Sequence, residues 1–361
     1  MKTPLYNRHV ARGAKIAPFA GWDMPIEYEG ILAEHQWTRS RTSVFDTCHM
    51  GEFSLRGPTA LSDLERLLTQ NVSSLEAGQA RYGYLLRDDG GCLDDLTCYR
   101  ISADHFWLVV NAGTREADAE WIRAHLSSRT QFEDLSPETA KLDIQGPRAK
   151  EDLEQALGES LPPLRYFRFK LLRLAGVPAL ISRTGYTGEF GYELYIPARA
   201  AVDIWDMLLK PGAIKPAGLG ARDTLRLEMG YTLYGHELGP DRTPVAAARG
   251  QFIDVNKDFI GREACLRDLQ QGCGRYLCGL QLASKRAARA GDDVVAGDQV
   301  IGKVTSGSLA PSLGVAVALA YVDDAYTAVG TKVEINARGT RLSAEVVKLP
   351  FYKNGSARRA A

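Results

Sequence analysis

Short apolar blocks along the chain alternate between the two-residue period of strands and the longer period of helices. Around residues 46–130 the pattern predicts a strand at 44–55, a helix at 59–68, a hairpin, a strand at 105–112 and a helix at 114–126. This order is typical of an antiparallel sheet that helices cover on one side, an α+β layer domain.

The remainder of the chain predicts two further units. One combines a helix at 31–42 with strands at 165–174, 178–184 and 191–196 and helices at 148–157, 200–209 and 221–229. From about residue 274, short β segments follow one another without helices, which is typical of a small β-barrel or sandwich. We therefore expect a multidomain α+β protein with two antiparallel-sheet/helix layer domains, residues 1–45 with 140–273 and residues 46–139, and a C-terminal β-barrel at 274–361.

The most informative stretch is residues 80–100, in which two apolar runs flank the turn Asp88-Asp89-Gly90-Gly91. Asp and Gly tolerate the positive φ angles of a tight strand reversal, so the stretch predicts a β-hairpin. The returning strand carries Asp94 and Asp95, and consecutive strand residues point to opposite faces. Because Asp94 shares its face with apolar residues, we predict Asp94 as a catalytic carboxylate and Asp95 as a structural partner of the turn.

A second stretch, residues 185–195 (GYTGEFGYELY), leads from a glycine-rich loop into a strand that carries Glu193 between aromatic residues. Its glycines do not form a dinucleotide-binding fingerprint, because no strand–turn–helix unit surrounds them. A Glu in such a strand is more often a solvated edge residue than a ligand group. The aromatic neighbours favour a flat ring, which a carboxylate can hold through two parallel N–H···O bonds. Both interpretations of Glu193 stay open.

Two other features suggest chemistry less strongly. Arg222 stands near the start of a predicted helix, where the helix dipole disfavours a cation, so it is expected to point at another group such as a substrate anion. Its alternative is an ordinary ion-pair network along the helix surface. The neighbours Cys48 and His49 suggest a thiol nucleophile, but neighbouring strand residues face opposite ways, so this interpretation is disfavoured.

Composition disfavours several classes of function. Lys+Arg and Asp+Glu balance at 44 each, so the net charge predicts neither a nucleic-acid nor a membrane partner. No stretch approaches the roughly eighteen consecutive apolar residues of a spanning helix, and the first residues lack the apolar core of a signal peptide. The six cysteines lack metal-ligand spacing, so we expect free thiols, no metal and a cytoplasmic location.

Nine short motifs between Thr3 and Lys353 are informative as a set. They are residues 3–6 (TPLY), 19–25 (FAGWDMP), 49–51 (HMG), 90–96 (GGCLDDL), 183–189 (RTGYTGE), 215–228 (KPAGLGARDTLRLE), 259–263 (FIGRE), 305–307 (TSG) and 347–353 (VKLPFYK). As a set, the chain closely resembles the aminomethyltransferase (T protein) family of the glycine cleavage system.

The resemblance implies three domains in a cloverleaf around a central funnel that binds tetrahydrofolate, a co-substrate. It implies that the aminomethyl group on the dihydrolipoyl arm of a partner H protein is split, releasing ammonia and forming 5,10-methylenetetrahydrofolate. Position by position, Asp94 matches the family's catalytic aspartate. Folate-binding positions are implied at Met50, Tyr82, Asn111, Tyr186, Glu193, Arg222 and Tyr352.

The chain departs from the usual family pattern at Cys48, at Phe190 and in the stretches 246–251 and 285–291. These two stretches concern the surface that faces the lipoyl carrier. One alternative is a tetrahydrofolate-dependent demethylase of a small S-, O- or N-methyl donor. Another is a non-catalytic folate-binding assembly protein, which is disfavoured because residues 259–263 lack the cysteine such proteins carry there. Asp94 and the tail 350–353 favour the aminomethyltransferase.

Overall fold

Residues 1–359, which the computed structural model describes, form eight α-helices and nineteen strands. The helices are α1 (Tyr6–Ala11), α2 (Ile31–Ser40), α3 (Ala60–Leu67), α4 (Arg115–His125), α5 (Ala149–Leu157), α6 (Ala201–Leu209), α7 (Leu219–Glu228) and α8 (Arg262–Gln271). The strands are β1 (Lys15–Phe19), β2 (Trp22–Glu27), β3 (Thr42–Asp46), β4 (Gly51–Arg56), β5 (Gln79–Leu86), β6 (Cys92–Arg100), β7 (His105–Val110), β8 (Gln131–Asp134), β9 (Thr139–Gln145), β10 (Phe169–Leu174), β11 (Val177–Ser182), β12 (Gly191–Pro197), β13 (Ile214–Pro216), β14 (Arg275–Leu282), β15 (Asp293–Ala296), β16 (Gln299–Ala310), β17 (Val315–Asp323), β18 (Lys332–Ala337) and β19 (Thr340–Val347).

The first sheet has six strands in the order β10-β11-β12-β9-β3-β13, all antiparallel except that β13 runs parallel to β3. Alternate residues of β9, such as Leu142 and Ile144, pack in one core with Trp205 of α6 and Leu153 of α5. Helices α2 and α7 lie on the other side, where Phe45 of β3 contacts the apolar side of α7. This sheet is therefore covered on both faces.

The second sheet is antiparallel, in the order β5-β6-β7-β4-β8. One of its faces buries Leu96 and Phe106 against Leu64 of α3 and Ile122 of α4. Its opposite face carries Tyr99, which packs against Phe169 and Tyr195 of the first sheet. The predicted order of strands and helices between residues 46 and 130 is confirmed.

Strands β14 to β19 form a closed barrel in the order β14-β17-β16-β15-β18-β19, and β14 closes it by pairing with both β17 and β19. This confirms the barrel over the sandwich. The short strand Asp293–Ala296 has only four residues, which are too few to show a period in the sequence.

Two predictions about this layout need correction. The predicted strand at 44–55 is two strands, β3 and β4, in different sheets, because the turn at Thr47–Met50 breaks it. Helix α2 ends at Ser40, so Thr42 belongs to a strand. A fourth, two-stranded sheet pairs β1 with β2. The division of the chain into domains stays a prediction.

Residues 231–273 join the units. Leu238, Val245 and Phe259 from this segment pack with Tyr84 of the second sheet and Val317 of the barrel. The same segment also contacts the first unit, because Glu237 accepts a hydrogen bond from Arg226 of α7 at 3.1 Å and Tyr231 stacks on Tyr186. It therefore contacts the first sheet's unit, the second sheet and the barrel.

Candidate active site

The hairpin of β5 and β6 forms as predicted, with a bulge where Leu85 pairs with Asp94 and Leu86 with Cys92. Gly90 adopts a φ of +87° in the turn, which favours glycine. The carboxylate that holds the turn is Asp89, which accepts a hydrogen bond from the Gly91 amide at 3.0 Å. The prediction that Asp95 is the turn's partner was wrong.

Asp94 is completely buried on the face of β6 that packs beneath α3 and α4. Its two oxygens accept hydrogen bonds from the Asn111 amide at 2.9 Å and from Asn111 Nδ2 at 2.8 Å. Burial, with the nearby Asp118 carboxylate of α4, raises the pKa of Asp94 well above its usual value. The predicted catalytic group thus has the perturbed environment that was expected, but no exposed surface.

Asp95 points to the opposite face of β6, together with Tyr99, and is half-buried. It accepts hydrogen bonds from the Tyr82 hydroxyl at 2.8 Å and from Asn111 Nδ2 at 2.9 Å. Burial and the neighbouring Asp94 raise the pKa of Asp95 to about 7. A carboxyl group with this pKa can both take up and release a proton near neutral pH.

The three carboxyl groups Asp94, Asp95 and Asp118 act as one titrating set. Asp118 is 1% exposed, and burial raises its pKa to about 7. Its Oδ2 atom is buried and accepts no hydrogen bond within residues 1–359. The negative charge of each carboxylate raises the pKa of another in the set, so the three disfavour one another's ionisation. Sequence reasoning missed Asp118, because it lies on a helix that the hairpin pattern does not reveal.

Glu193 lies on β12, an inner strand of the first sheet, and is 8% exposed. Its Oε1 accepts a hydrogen bond from Lys141 Nζ at 2.6 Å, and its Oε2 accepts one from Thr184 Oγ1 at 2.6 Å. Burial alone would raise the pKa of Glu193, but Lys141 and Thr184 outweigh burial and hold it below its usual value. The interpretation of Glu193 as a solvated edge residue was therefore wrong.

Arg222 on α7 forms an ion pair with Asp143 of β9 and lies 5.1 Å from the Tyr186 ring centroid. The expectation that it points away from its own helix is confirmed, but the anion it meets belongs to the chain. Tyr186 stacks on Tyr231 with ring centroids 5.7 Å apart and planes 24° apart. Burial raises the pKa of Tyr186, and the charge of Asp95 raises it further.

The other predicted positions divide into two groups. Met50 packs against the cluster of Tyr99 and Tyr195, next to Glu193. Tyr352 packs over the Arg39 guanidinium at 4.2 Å and donates its amide to the Glu228 carbonyl. The structure thus places Tyr82 and Asn111 on Asp95, Arg222 beside Tyr186, and Met50 beside the Tyr99 and Tyr195 pair that contacts Glu193. Tyr352 lies at the contact between the tail and α7.

The sequence analysis missed Lys141 and Asp143, which pair with two predicted site residues. Their signal was present: polar residues 141, 143 and 145 alternate with apolar residues 140, 142 and 144 along β9. A strand with one apolar and one charged face, both buried, predicts a polar wall inside the protein.

Three other features were sought in residues 1–359: a metal site, a reactive thiol and a membrane-spanning helix. Within residues 1–359, no group of three or more His, Cys, Asp or Glu side chains is arranged to hold a metal ion. All six cysteines are free thiols, as predicted, and burial raises the pKa of Cys48, which makes that thiol unreactive. None of the helices in this part of the chain is long and apolar enough to cross a membrane.

Comparisons with known proteins agree over nearly the whole chain. The family model described as GCVT N-terminal domain matches residues 5–257, and the model described as glycine cleavage T-protein C-terminal barrel domain matches residues 275–353. An aminomethyltransferase of Moorella thermoacetica is 44% identical over 357 residues, and one of Oceanobacillus iheyensis is 41% identical over 365 residues, each match covering 98% of both chains.

A solved structure matches equally well. The crystal structure of the glycine cleavage system aminomethyltransferase T from Bartonella henselae superposes with a TM-score of 0.93 at 35% identity, covering 100% of this chain and 99% of that one. The chain therefore belongs to the glycine cleavage T-protein family.

Proposed function

We propose that the protein is the tetrahydrofolate-dependent aminomethyltransferase of a glycine cleavage system. Its substrates are the aminomethyl-dihydrolipoyl arm of an H protein and tetrahydrofolate, and its products are ammonia, 5,10-methylenetetrahydrofolate and the dihydrolipoyl arm. The relatives named aminomethyltransferase favour this function over the demethylase. Neither a nucleic acid nor a membrane is proposed as a partner, and the six free thiols support a reducing, cytoplasmic location.

The residues around Asp95 fit a folate ring. Tyr82 and Asn111 lie on Asp95, Tyr186 offers an aromatic face beside Arg222, and Glu193 offers a carboxylate on the first sheet, which packs against the second through Tyr99. Glu193 Oε1 accepts a single hydrogen bond within residues 1–359, so it keeps a lone pair for a ring N–H donor. When bound, tetrahydrofolate supplies the nitrogen nucleophile that receives the one-carbon unit.

The observation that carries the proposal is the placement of Asp95. Both carboxylates of the hairpin have raised pKa values, but Asp95 faces the region shared by the sheets whereas Asp94 faces the core. We therefore propose that the Asp95 carboxylate takes up and releases the proton during the reaction, although the sequence pattern had selected Asp94 for this role. Asp94 acts through Asn111, whose amide it orients toward Asp95, and is a positioning residue.

Substitution of the two carboxylates tests this assignment. Asp95→Asn should lower ammonia release from aminomethylated H protein in the presence of tetrahydrofolate by about 100-fold or more, because it removes the proton acceptor. Asp94→Asn should retain more activity and move the acid limb of the pH–rate profile to lower pH, because one of the coupled carboxyl groups is gone.

The exposed Asp88 in the same hairpin gives a matched control, and Asp88→Asn should behave like the wild type. If Asp94→Asn is inactive at every pH while Asp95→Asn is active, the catalytic role returns to Asp94. If the wild type releases no ammonia but demethylates a small methyl donor, the aminomethyltransferase function itself is contradicted.

A further inference from the structure

The face of the first sheet that packs against Tyr99 of the second sheet carries a buried charge tetrad, which we define as Lys141, Asp143, Glu193 and Arg222. Lys141 and Asp143 alternate with the core residues Leu142 and Ile144 along β9. Lys141 is 1% exposed and Asp143 is completely buried. Charged side chains this deeply buried are rare unless they are paired.

The register of the sheet creates an electrostatic problem that the tetrad resolves. Glu193 of β12 stands directly opposite Asp143 of β9, so two carboxylates face each other across neighbouring strands. Lys141 donates a hydrogen bond to Glu193 at 2.6 Å, and Arg222 forms an ion pair with Asp143. The four charges therefore sum to zero, and each carboxylate has its own cation.

Lys141 serves Glu193 almost exclusively. Its other hydrogen bond within residues 1–359, to Thr47 Oγ1, is 3.4 Å long. The further titratable and charged groups that face Glu193 from the surrounding elements are Asp143, Arg222, Glu52, Tyr99 and Tyr195. Among these groups, only Arg222 carries a positive charge, and it already forms an ion pair with Asp143.

We propose that Lys141 is a positioning residue that keeps the Glu193 carboxylate ionised as an acceptor for the N–H donors of a folate ring. Asp143 has the matching role of pairing with Arg222. The proposal rests on the proposed function, because it concerns the folate-binding role of Glu193. Arg222 is then not available as the chief partner of a substrate anion. The pocket wall offers the ligand a hydrogen-bond acceptor without a net charge.

The test compares Lys141→Met with the double variant Lys141→Met/Asp143→Asn, by titration with the stable folate 5-formyltetrahydrofolate between pH 6 and pH 8.5. In the single variant the desolvated Glu193 takes up a proton. The Kd of this variant for 5-formyltetrahydrofolate at pH 7 should therefore rise about tenfold, and it should fall again as the pH increases. In the double variant Arg222 is released to Glu193, so its Kd should return to within about threefold of the wild type at all pH values.

Two further variants make the outcome specific. Lys170→Met removes an exposed lysine from the same sheet and should leave Kd unchanged. Lys141→Arg keeps the positive charge, so its Kd should not change with pH in the way that the Kd of Lys141→Met does, whatever the larger guanidinium does to the absolute affinity. The proposal is overturned if Lys141→Met binds with the wild-type Kd at every pH, or if the double variant binds no better than the single one.

Urea unfolding of the same variants provides a readout that does not depend on folate. The urea concentration at the unfolding midpoint of Lys141→Met should decrease as the pH rises from 5 to 8, because Glu193 then ionises without a partner. The double variant should recover the wild-type midpoint. If the wild type does not bind folate, the proposed function fails, and these midpoints still decide whether Lys141 balances Glu193. If Lys141→Met does not fold but the double variant does, the charge balance is supported.

Discussion

Asp118 illustrates how a single side chain can lower stability while it contributes to a site. It is buried on α4 beside Asp94, and burial raises its pKa to about 7, well above the usual value of a carboxyl group. The folded protein therefore holds this proton more tightly than the unfolded chain does. Stability falls as pH rises from about 4 to 7, because the unfolded chain ionises first.

Replacing this carboxyl group should remove that cost. Asp118→Asn is expected to be more stable than the wild type at pH 8, and its advantage should shrink by about 2–3 kcal/mol at pH 5 and vanish only below about pH 4, where the carboxyl group is protonated in both the folded and the unfolded chain. Urea unfolding at the two pH values measures the difference. A variant that is destabilised equally at both pH values would show that Asp118 is held as an ordinary hydrogen-bonding carboxylate.

At the scale of elements, the C-terminal segment 352–359 supports the glycine-rich loop that carries Tyr186. Ser356 Oγ donates to Glu189 and accepts a hydrogen bond from the Phe190 amide at 2.8 Å. The Ala357 amide donates to the Gly188 carbonyl, and the buried Arg183 donates to the Ala357 carbonyl at 2.8 Å. The tail thus leaves the barrel and fixes a loop of the first α+β unit.

This arrangement predicts that a change in the tail affects both stability and ligand binding. Ser356→Ala leaves the Phe190 amide without its partner and should destabilise the protein by about 1–2 kcal/mol. It should also weaken 5-formyltetrahydrofolate binding severalfold, since the loop also holds Tyr186. The neighbouring Asn354 is exposed, and Asn354→Ala should match the wild type in both measurements. Normal folate affinity in Ser356→Ala would show that the tail does not control the loop.

At the scale of the whole molecule, Glu228 joins three parts of the chain. Its carboxylate accepts hydrogen bonds from Arg39 of α2 at 2.8 Å and from the Ser312 amide, between β16 and β17, at 2.8 Å. Burial alone would raise the pKa of Glu228, but His35 and Arg39 outweigh burial and hold it below its usual value. The barrel and the first sheet are therefore connected through one buried carboxylate.

Loss of this charge should loosen the attachment of the barrel. Glu228→Gln is expected to destabilise the protein by about 3 kcal/mol at pH 7, because Arg39 keeps a buried charge with one fewer partner. The difference should shrink as pH falls below about 4, because protonation of Glu228 removes the same charge from the wild type. Urea unfolding at pH 7 and pH 3.5 tests this.

The exposed Glu263 of α8, with a side chain that is 83% exposed, supplies the control, since Glu263→Gln should have no measurable effect. Equal destabilisation of Glu228→Gln at both pH values would contradict an electrostatic role. The Glu228 cluster and the tail are joined, because Arg39 also donates to Glu189, the partner of Ser356.

The type and order of most elements could be predicted from local patterns alone. The hairpin turn, the amphipathic helices α3 and α4 and the run of barrel strands each depend on residues close together in sequence. The motifs between Thr3 and Lys353 likewise identify the family without a structure. Face alternation in β6 correctly separated Asp94 from Asp95.

Only the tertiary structure decided what covers each face. Asp94 meets Asp118 from a helix, whereas Asp95 meets Tyr82 and the central region, and no local pattern distinguishes these two kinds of burial. The partner of Glu193, Lys141, is 52 residues away in sequence, and the partner of Arg222, Asp143, is 79 residues away. Charge state depends on burial and on such distant partners, so the chemistry of the site could not be derived from sequence periodicity.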